Sequence, residues 1–253
     1  MTCTQACLAS LGPCLDKVDL AIIDNGSTDG TPAWLEGWHA EHPAAQIVLL
    51  GQNVGCPVAL NMILGWRLAG QAFIKVDNDV VLPGGDWVTE VEALIAHLEA
   101  PHNRRPGRSV AMVGGYYPDL LYRRSRGVVD TWKSGQVWSI SPVIGHAVYH
   151  TGAFMDAVGY FDVLSDAHLY GFEDLIMSVK ANALGWLSAT WEGWAIENIQ
   201  RENSLGAAGR DAHITAMRPL YEARIRALQS IRTLYTGPNG RPLPKEAYAE
   251  ALR

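Results

Sequence analysis

Residues 71–82 have the sequence Gln-Ala-Phe-Ile-Lys-Val-Asp-Asn-Asp-Val-Val-Leu, an apolar, strand-like run interrupted by two carboxylates. Burying acids among Val, Ile and Leu is costly unless a cation or hydrogen bonds compensate them. Asp77 and Asp79 are two residues apart, so in an extended segment they point to the same side. Two oxygen ligands at the end of a strand suit a hard divalent cation that also holds a diphosphate. An Asp-Asn-Asp turn between two strands would have the same sequence, so this stretch alone leaves both interpretations open.

Strand-like and helix-like segments alternate along the first third of the chain. The pattern predicts, in order, strand 18–23, helix 33–40, strand 47–50, helix 57–69 and strand 72–76. Such alternation favours an α/β fold built on a parallel sheet, in which ligands bind at the carboxyl ends of the strands. Two acid-bearing turns, 24–30 and 77–79, follow strands in this way. We therefore expect both turns at one edge of the sheet.

The later segments are longer and less regular. They predict helix 87–100, strand 110–114, a surface excursion over 115–142, strand 143–149, helices 172–184 and 217–234, and a loop over 236–244 before a last short helix. No repeat, low-complexity tract or linker divides the chain, and 253 residues fit one large domain. One domain is therefore the expected count.

Composition and charge limit the classes of protein. Hydrophobic residues make up 48% and charged residues 18% of the chain, which is typical of a soluble protein with a sizeable core. The net charge of -6 argues against a general nucleic-acid binder. The cysteines match no zinc or redox spacing and are expected to be reduced thiols. No apolar run approaches the roughly 18 residues of a membrane span, and there is no signal pattern. The sequence thus favours the cytoplasm, including the inner membrane surface.

Polar residues follow the first two strands. Asp24–Gly30 contains carboxylates that suit a base or ribose and glycines that allow close backbone approach, although a well-made turn with a helix cap would look the same. Asn53, Gly55 and Asn61 lie at and beyond the next strand–helix junction. These residues could bind a phosphate, or they could be a loop glycine and exposed amides without a ligand. No complete phosphate-loop pattern is present, which argues against a nucleoside triphosphatase.

Adjacent acids open the helix expected at 172–184. Glu173 and Asp174 in the first helical turn complement the helix dipole. In an alternative interpretation, one carboxylate faces a cavity as a general base while local hydrogen bonds hold the other. The residues alone leave both interpretations open.

Five motifs occur in order along the chain: Ile23–Thr31, Asn53-Val54-Gly55 with Asn61, Asp77-Asn78-Asp79, Gly159–Asp162 and Glu173-Asp174. In this order and approximate spacing, the sequence resembles family 2 glycosyltransferases of the GT-A fold over roughly residues 3–200. The resemblance implies an α/β fold with a Rossmann-like mixed central sheet flanked by helices. It also implies one GT-A domain over 1–235, with a nucleotide-sugar half at about 1–82, an acceptor half at about 83–235, and a C-terminal loop and short helix over 236–253.

The resemblance further implies an inverting transferase that moves a sugar from a nucleotide-diphosphate sugar, with a UDP-sugar favoured, to an acceptor hydroxyl. By similarity, Asp79 binds a divalent ion, Mn²⁺ or Mg²⁺, together with Asp77. Asp174 would deprotonate the acceptor, and Glu173 is the second candidate for that role. The residues implied in donor binding are Asp24, Asn25, Ser27, Asn53, Gly55, Asn61 and Asp77.

Two departures from the family pattern affect the site. Relatives usually begin with a strand inside the sheet, whereas Met1 here falls at the following helix. We therefore expect that strand to be lacking, because the start codon is placed too late or because the fold is modified. Many relatives also have a metal-binding His near the position that Glu197 occupies in this chain. Glu197 could replace that His as an oxygen ligand, or it could be a surface residue. His213, later in the sequence, is another candidate metal ligand. His146 and His150 lie on an expected strand, and we expect them to be hydrogen-bonded core residues.

Residues that select the acceptor are expected in the second half. Six arginines lie in two loops there: Arg104, Arg105, Arg108, Arg123, Arg124 and Arg126. They suit an acidic acceptor, a lipid phosphate or nucleic acid, or are solvated loop residues. Trp186, Trp191 and Trp194 suit stacking on a sugar ring or a place in the core. The expected acceptor is the hydroxyl of a saccharide, a lipid-linked molecule or another polymer.

Two other functions stay open at this point. A non-catalytic carbohydrate- or nucleotide-binding module on the same scaffold would account for the lacking strand and histidine. A sugar nucleotidyltransferase also uses acids and a metal on an α/β sheet, but its usual Gly-rich, basic N-terminal phosphate loop is not visible in this sequence.

Overall fold

Helices cover both faces of a central sheet in the computed structural model, which describes residues 1–101, 109–118, 125–133, 135–143, 145–199 and 206–234. The helices are α1 (Thr2–Leu11), α2 (Thr31–Glu41), α3 (Cys56–Leu64), α4 (Trp87–Glu99), α5 (Gly152–Val158), α6 (Glu173–Ala183) and α7 (Gly206–Leu234). The strands are β1 (Ala21–Asp24), β2 (Gln46–Leu49), β3 (Phe73–Val76), β4 (Val80–Val81), β5 (Val110–Tyr116), β6 (Ser125–Trp132), β7 (Gly135–Ile140), β8 (Ala147–His150), β9 (Leu187–Ala195) and β10 (Glu197–Asn198).

The main sheet has six strands in the order β3-β8-β5-β9-β7-β6. Only β5 and β9 run parallel in it, and the other neighbours are antiparallel. β1 and β2 form a separate parallel pair. The expected mixed α/β sheet is therefore confirmed, whereas strand–helix alternation alone had predicted parallel pairing throughout.

A wide cleft separates the two sheets. In the part of the chain that the structure describes, β1 pairs only with β2, and β3 pairs only with β8. The facing edges of β1 and β3 line a cleft of about 2200 Å³, with Ile22 on one side and Ile74 on the other. Among the described residues, no strand joins β1 to β3, and the two sheets are separate.

The core forms on both faces of the six-stranded sheet. On one face, Phe154 of α5 and Ile176 of α6 are fully buried. On the other, Val91 and Leu94 of α4 pack with Trp194. Fully burying one such aliphatic or aromatic side chain stabilises a fold by about 1.5–3 kcal/mol. These two layers hold β3 and β8, which carry the candidate site, in fixed positions.

Local signals explain most element boundaries. Asp86 caps α4 by accepting a hydrogen bond from the backbone N–H of Thr89, and Thr151 caps α5 in the same way through Phe154. The helix expected at 57–69 already ends at Leu64, because Gly65 caps it. The helix expected at 217–234 begins earlier, at Gly206, with Pro219 inside it.

The expected surface excursion over 115–142 is wrong for the residues that the structure describes. β6 and β7 form an antiparallel ladder there, and β7 joins the main sheet through β9. Register shifts between Ser125 and Asp130 interrupt the alternation of side chains, so the period of two is hidden in the sequence. The tail over 236–253 lies outside the described residues. All four cysteines are free, as expected. Among the described helices, none is long and apolar enough to cross a membrane.

Candidate active site

Two carboxylates and a histidine gather where β3 ends. The ligand atoms of Asp77, Asp79 and His146 all lie within 4.8 Å of one another. The antiparallel register that pairs Val76 with Ala147 places His146 beside Asp77, and the Asp77 backbone N–H donates to the His146 carbonyl over 2.8 Å. The Oδ1 atom of Asp79 is buried and has no hydrogen-bond partner in the described structure. These donors and the unpartnered oxygen fit a divalent cation such as Mn²⁺ or Mg²⁺.

The acids of this group have opposite pKa shifts. Burial and the charge of Asp77 raise the pKa of Asp79 above its ordinary value. Burial also opposes the ionisation of Asp77, but Lys75 and His146 outweigh it and hold the pKa of that carboxyl below its usual range. A bound cation would favour the ionised form of both acids.

Sequence reasoning missed His146 as a candidate ligand. It is half-buried at the site rather than in the core, and its Nδ1 lies 3.5 Å from Oδ2 of Asp77. His150, in contrast, is fully buried as expected, and burial lowers the pKa of its imidazole to about 4. Glu197 is exposed on β10, opposite Val81, and the structure does not bring it into the group of possible ligands.

The two acids at the start of α6 lie close to this group. Phe172, just before the helix, has a left-handed backbone conformation with a φ of 70°. Such a conformation is uncommon for a bulky residue and often marks a functional site. Glu173 lines the cleft, and burial, together with the charge of Asp174, raises the pKa of Glu173 to about 7. Burial also raises the pKa of Asp174, although Lys75 opposes this shift.

A buried lysine joins the acids of the two elements. Lys75 Nζ lies 3.0 Å from Asp174 Oδ2 and 3.1 Å from Asp77 Oδ1, and it donates to the Gly145 carbonyl over 2.6 Å. Gly145 is packed so tightly that an added Cβ would stand 1.9 Å from the Asp174 carboxylate. Sequence reasoning missed Lys75 too, although a lone lysine in an apolar strand was a visible signal.

The loop after β1 lines the opposite side of the cleft. Asp24 is buried and accepts a hydrogen bond from the Ser27 backbone N–H over 2.9 Å. Asn25 joins this loop to the next one, because its Oδ1 accepts from Val54 N–H over 2.9 Å and its Nδ2 donates to Asn53 Oδ1 over 3.1 Å. The structure thus brings Asp24, Asn25, Ser27 and Asn53 together with Asp77 around the cleft.

Gly55 and Asn61 have structural contacts. Gly55 has a φ of 91°, and an added Cβ would stand 2.2 Å from the His168 carbonyl oxygen. The amide of Asn61 is engaged on both sides by the backbone of Phe161, at 2.9 and 2.8 Å. Asn61 thereby fastens α3 to the segment that follows α5, and this contact does not depend on a phosphate.

The residues expected to select the acceptor lie in different parts of the structure. Trp186, Trp191 and Trp194 are all buried, which places them in the core. Arg126 is exposed on β6, and the other five arginines of the set lie outside the described residues. His213 contacts Tyr170, whose carbonyl is 3.1 Å from its Nε2, and it is not part of the group that gathers at Asp77.

Comparison with known proteins identifies the class. Residues 2–104 match the model of glycosyl transferase family 2. Two solved glycosyltransferases superpose on nearly the whole chain, which shows the shared fold. The chain therefore has the fold of these glycosyltransferases, and the match of residues 2–104 to the family model agrees with the resemblance seen in the sequence.

The individual relatives are distant. An uncharacterized glycosyltransferase of Haemophilus influenzae is 23% identical over 165 residues, which are 64% of this chain and 47% of the relative. The chain thus spans about half the length of that protein. A mannosyltransferase from Pyrobaculum calidifontis, solved with GDP-Man and Mn²⁺, has a TM-score of 0.57 at 20% identity, covering 99% of this chain and 70% of that one. GalNAc-T7, solved with UDP, GalNAc and Mn²⁺, has a TM-score of 0.56 at 11% identity, covering 98% and 50%.

Proposed function

We propose that the protein is a metal-dependent, inverting glycosyltransferase that moves a sugar from a nucleotide-diphosphate sugar to an acceptor hydroxyl. The observation that carries the proposal is the position of the Asp77, Asp79 and His146 group next to two acids: Glu173 lines the same cleft, and Asp174 is linked to Asp77 through Lys75. A cation site and a base within one cleft are the two parts that such a displacement needs.

The nucleotide would lie between the two sheets. Asp24 offers its carboxylate to the ribose or the base, and Asn25 and Ser27 shape the loop around it. Asp77 on the other side of the cleft approaches both the ribose and the cation. A divalent ion held by Asp77, Asp79 and His146 would offset the charge that develops on the departing diphosphate.

The acid pair would activate the acceptor. Asp174 takes the proton of the acceptor hydroxyl, whose oxygen then forms a bond to the anomeric carbon of the donor sugar. The bond between that carbon and the diphosphate oxygen breaks, and its electron pair leaves with the diphosphate. Because the attacking oxygen enters opposite the leaving group, the configuration is inverted. Glu173, with a pKa raised to about 7 by burial and by Asp174, is the second candidate for the base.

The proposed substrates follow from charge and from the relatives. UDP-sugars are the favoured donors, and GDP-sugars belong in the same screen because one structural relative was solved with GDP-Man. Acidic saccharides and lipid-linked sugars are the first acceptors to test, because six arginines lie at positions 104–126. The proposed place of action is the cytoplasm or the inner membrane surface.

Two substitutions test the proposal. Asp79→Asn should abolish Mn²⁺-dependent donor binding, because it removes a charged ligand. Asp174→Asn should leave that binding nearly intact and lower turnover by about 10²–10⁴-fold, the usual contribution of a general base. Calorimetry with UDP- and GDP-sugars, with and without Mn²⁺, and an assay of product formation measure both effects. Asp86→Asn, at the exposed cap of α4, is the matched control.

Two results would overturn the proposal. Unchanged turnover in both site variants would remove the assigned roles. Mn²⁺-dependent binding of a nucleotide sugar by the wild type, without transfer to any acceptor and without donor hydrolysis, would instead indicate a non-catalytic binding module.

A further inference from the structure

The ammonium group of Lys75 has no spare hydrogen-bonding capacity. It has three N–H donors, and its three oxygen neighbours are Gly145 O, Asp174 Oδ2 and Asp77 Oδ1, all at 2.6–3.1 Å. Its side chain is only 4% exposed, so water does not compete for these contacts. Three fixed acceptors around a buried tetrahedral group leave it one orientation.

Lys75 pairs with a different oxygen position of each acid, Oδ1 of Asp77 and Oδ2 of Asp174. The other oxygen of Asp77, Oδ2, lies 3.5 Å from Nδ1 of His146, on the side where the possible metal ligands gather. The other oxygen of Asp174, Oδ1, is buried and without a hydrogen-bond partner in the described structure. Its contact with one oxygen of each carboxylate therefore sets the direction in which the other oxygen points.

We propose, building on the proposed glycosyl transfer, that Lys75 is a positioning residue that sets the working oxygen of two acids at once. It fixes Asp77 Oδ1, which leaves Oδ2 for the cation, and it fixes Asp174 Oδ2, which sets the orientation of the carboxylate that would take the acceptor proton. Lys75 therefore sets the distance and angle between the cation site and the base without touching the substrate.

The backbone supports this task on both sides. Lys75 and Asp77 are two residues apart at the end of β3, so their side chains point to the same side. Gly145 and His146 are consecutive, and the first accepts from Lys75 while the second faces Asp77. Since an added Cβ at Gly145 would overlap the Asp174 carboxylate, no side chain separates these groups.

Lys75→Met is the main test, because it removes the donors and keeps an unbranched side chain of similar length. We expect transfer at saturating substrates to fall by about 100-fold, the loss typical of a misplaced catalytic group. Mn²⁺-dependent nucleotide binding should weaken less than transfer does, by about tenfold, the low end of the loss for a residue that orients a metal ligand, because Asp77, Asp79 and His146 remain. The ratio of transfer to donor hydrolysis should also fall, since only transfer uses the oriented base. Lys75→Arg, which keeps charge and donors, should restore part of the lost transfer.

Lys180→Met is the matched control. Lys180 is also fully buried and paired with a carboxylate, Asp162 at 2.6 Å, but it lies outside the site. This variant should unfold at a lower temperature and keep the wild-type kcat and transfer-to-hydrolysis ratio per folded molecule. Thermal unfolding of each variant checks that it is folded, and Lys75→Gln replaces Lys75→Met if the latter does not fold.

Three outcomes would overturn the role of Lys75. These are a kcat of Lys75→Met within threefold of the wild type, a proportional loss of binding, hydrolysis and transfer, or the same change of ratio in Lys180→Met. If the wild type transfers no sugar, the proposed function has failed on its own. The role of Lys75 is then tested by the electron paramagnetic resonance spectrum of Mn²⁺ in the nucleotide complex. Its line shape should differ in Lys75→Met and not in Lys180→Met, and an unaltered line shape in both would overturn the inference.

Discussion

Lys75 and Lys180 are both buried lysines paired with aspartates, but their surroundings differ in charge. Among the residues that the structure describes, Lys180 contacts one carboxylate, Asp162, which Arg224 also contacts over 2.7 Å. Its burial lowers the pKa of Lys180, and Asp162 only partly offsets the shift. This structural cluster of Lys180, Asp162 and Arg224 has no surplus of negative charge, and it fastens α6 to α7.

Lys75 has the opposite surroundings. Burial would lower its pKa, but Asp174 and Asp77 outweigh burial and raise the pKa of Lys75 well above its ordinary value. Asp79 and Glu173 lie close by and have raised pKa values of their own, mainly because of burial. A buried surplus of acids is costly unless a cation or protons join it. A charge-balanced cluster at a helix–helix contact thus contrasts with a cluster whose excess of acids would be stabilised by a cation or by protons.

The largest expected effect comes from breaking the structural cluster. Asp162→Ala leaves Lys180 and Arg224 without their shared carboxylate, and breaking a buried ion pair in this way costs about 3–5 kcal/mol. Denaturant unfolding should show this loss, while the Mn²⁺ affinity of the folded protein should stay unchanged. A loss below about 1 kcal/mol would show that the two clusters do not differ in their structural importance.

A smaller effect, an increase in the free energy of unfolding, is expected when Glu173 in the candidate active site is replaced. The pKa of Glu173 is raised to about 7 in the folded state, from an ordinary value of 4.5, by burial and by Asp174. The folded state therefore binds this proton more tightly than the unfolded state, and its stability falls as the pH rises from 4.5 through 7. Glu173→Gln should raise the free energy of unfolding by about 1–3 kcal/mol at pH 8 without metal. The gain should shrink as the pH falls toward 4.5, and a destabilised variant at pH 8 would contradict this account.

The smallest effect is expected at an exposed ion pair. Lys133 contacts Glu90 on the surface, where both side chains are largely accessible to water. Lys133→Gln should change the free energy of unfolding by less than about 0.5 kcal/mol, because solvent screens the pair. The same unfolding assay supplies the baseline against which both buried clusters are judged. If Lys133→Gln lowered the free energy of unfolding by more than 2 kcal/mol, solvent exposure would not distinguish this ion pair from the buried clusters.

Local patterns predicted the elements that end or begin at the acids of the site. The strands before Asp24 and Asp77 and the helix that opens at Glu173 were visible as runs of apolar residues that end in acids. His146 was not visible as a site residue, because its place depends on the antiparallel register between β8 and β3. That register joins positions about seventy residues apart, and no local pattern in one sequence contains it.

Long-range packing also decided the remaining differences. Asn61 suited a phosphate in the sequence, but the structure engages its amide with Phe161, which is distant in the chain. Trp194 suited a sugar ring, yet it stacks on Trp87 with the ring centroids 5.1 Å apart. In both cases the residue type was compatible with two roles, and only the partner brought by the fold selects one.

The cleft between β1 and β3 has a consequence for how firmly the protein is held together. β1 and β2 pack against the hydrophobic core through residues such as Ile22 and Ile47, but a two-stranded unit has fewer neighbouring strands to protect it than a six-stranded sheet. The loop that begins at Asp24 therefore rests on the less protected unit, and Asp77 on the better protected one. A nucleotide that contacts both Asp24 and Asp77 would link the two sheets across the cleft. Part of its binding free energy would then be spent on ordering the β1–β2 unit, so donor affinity and amide protection of that unit should rise and fall together.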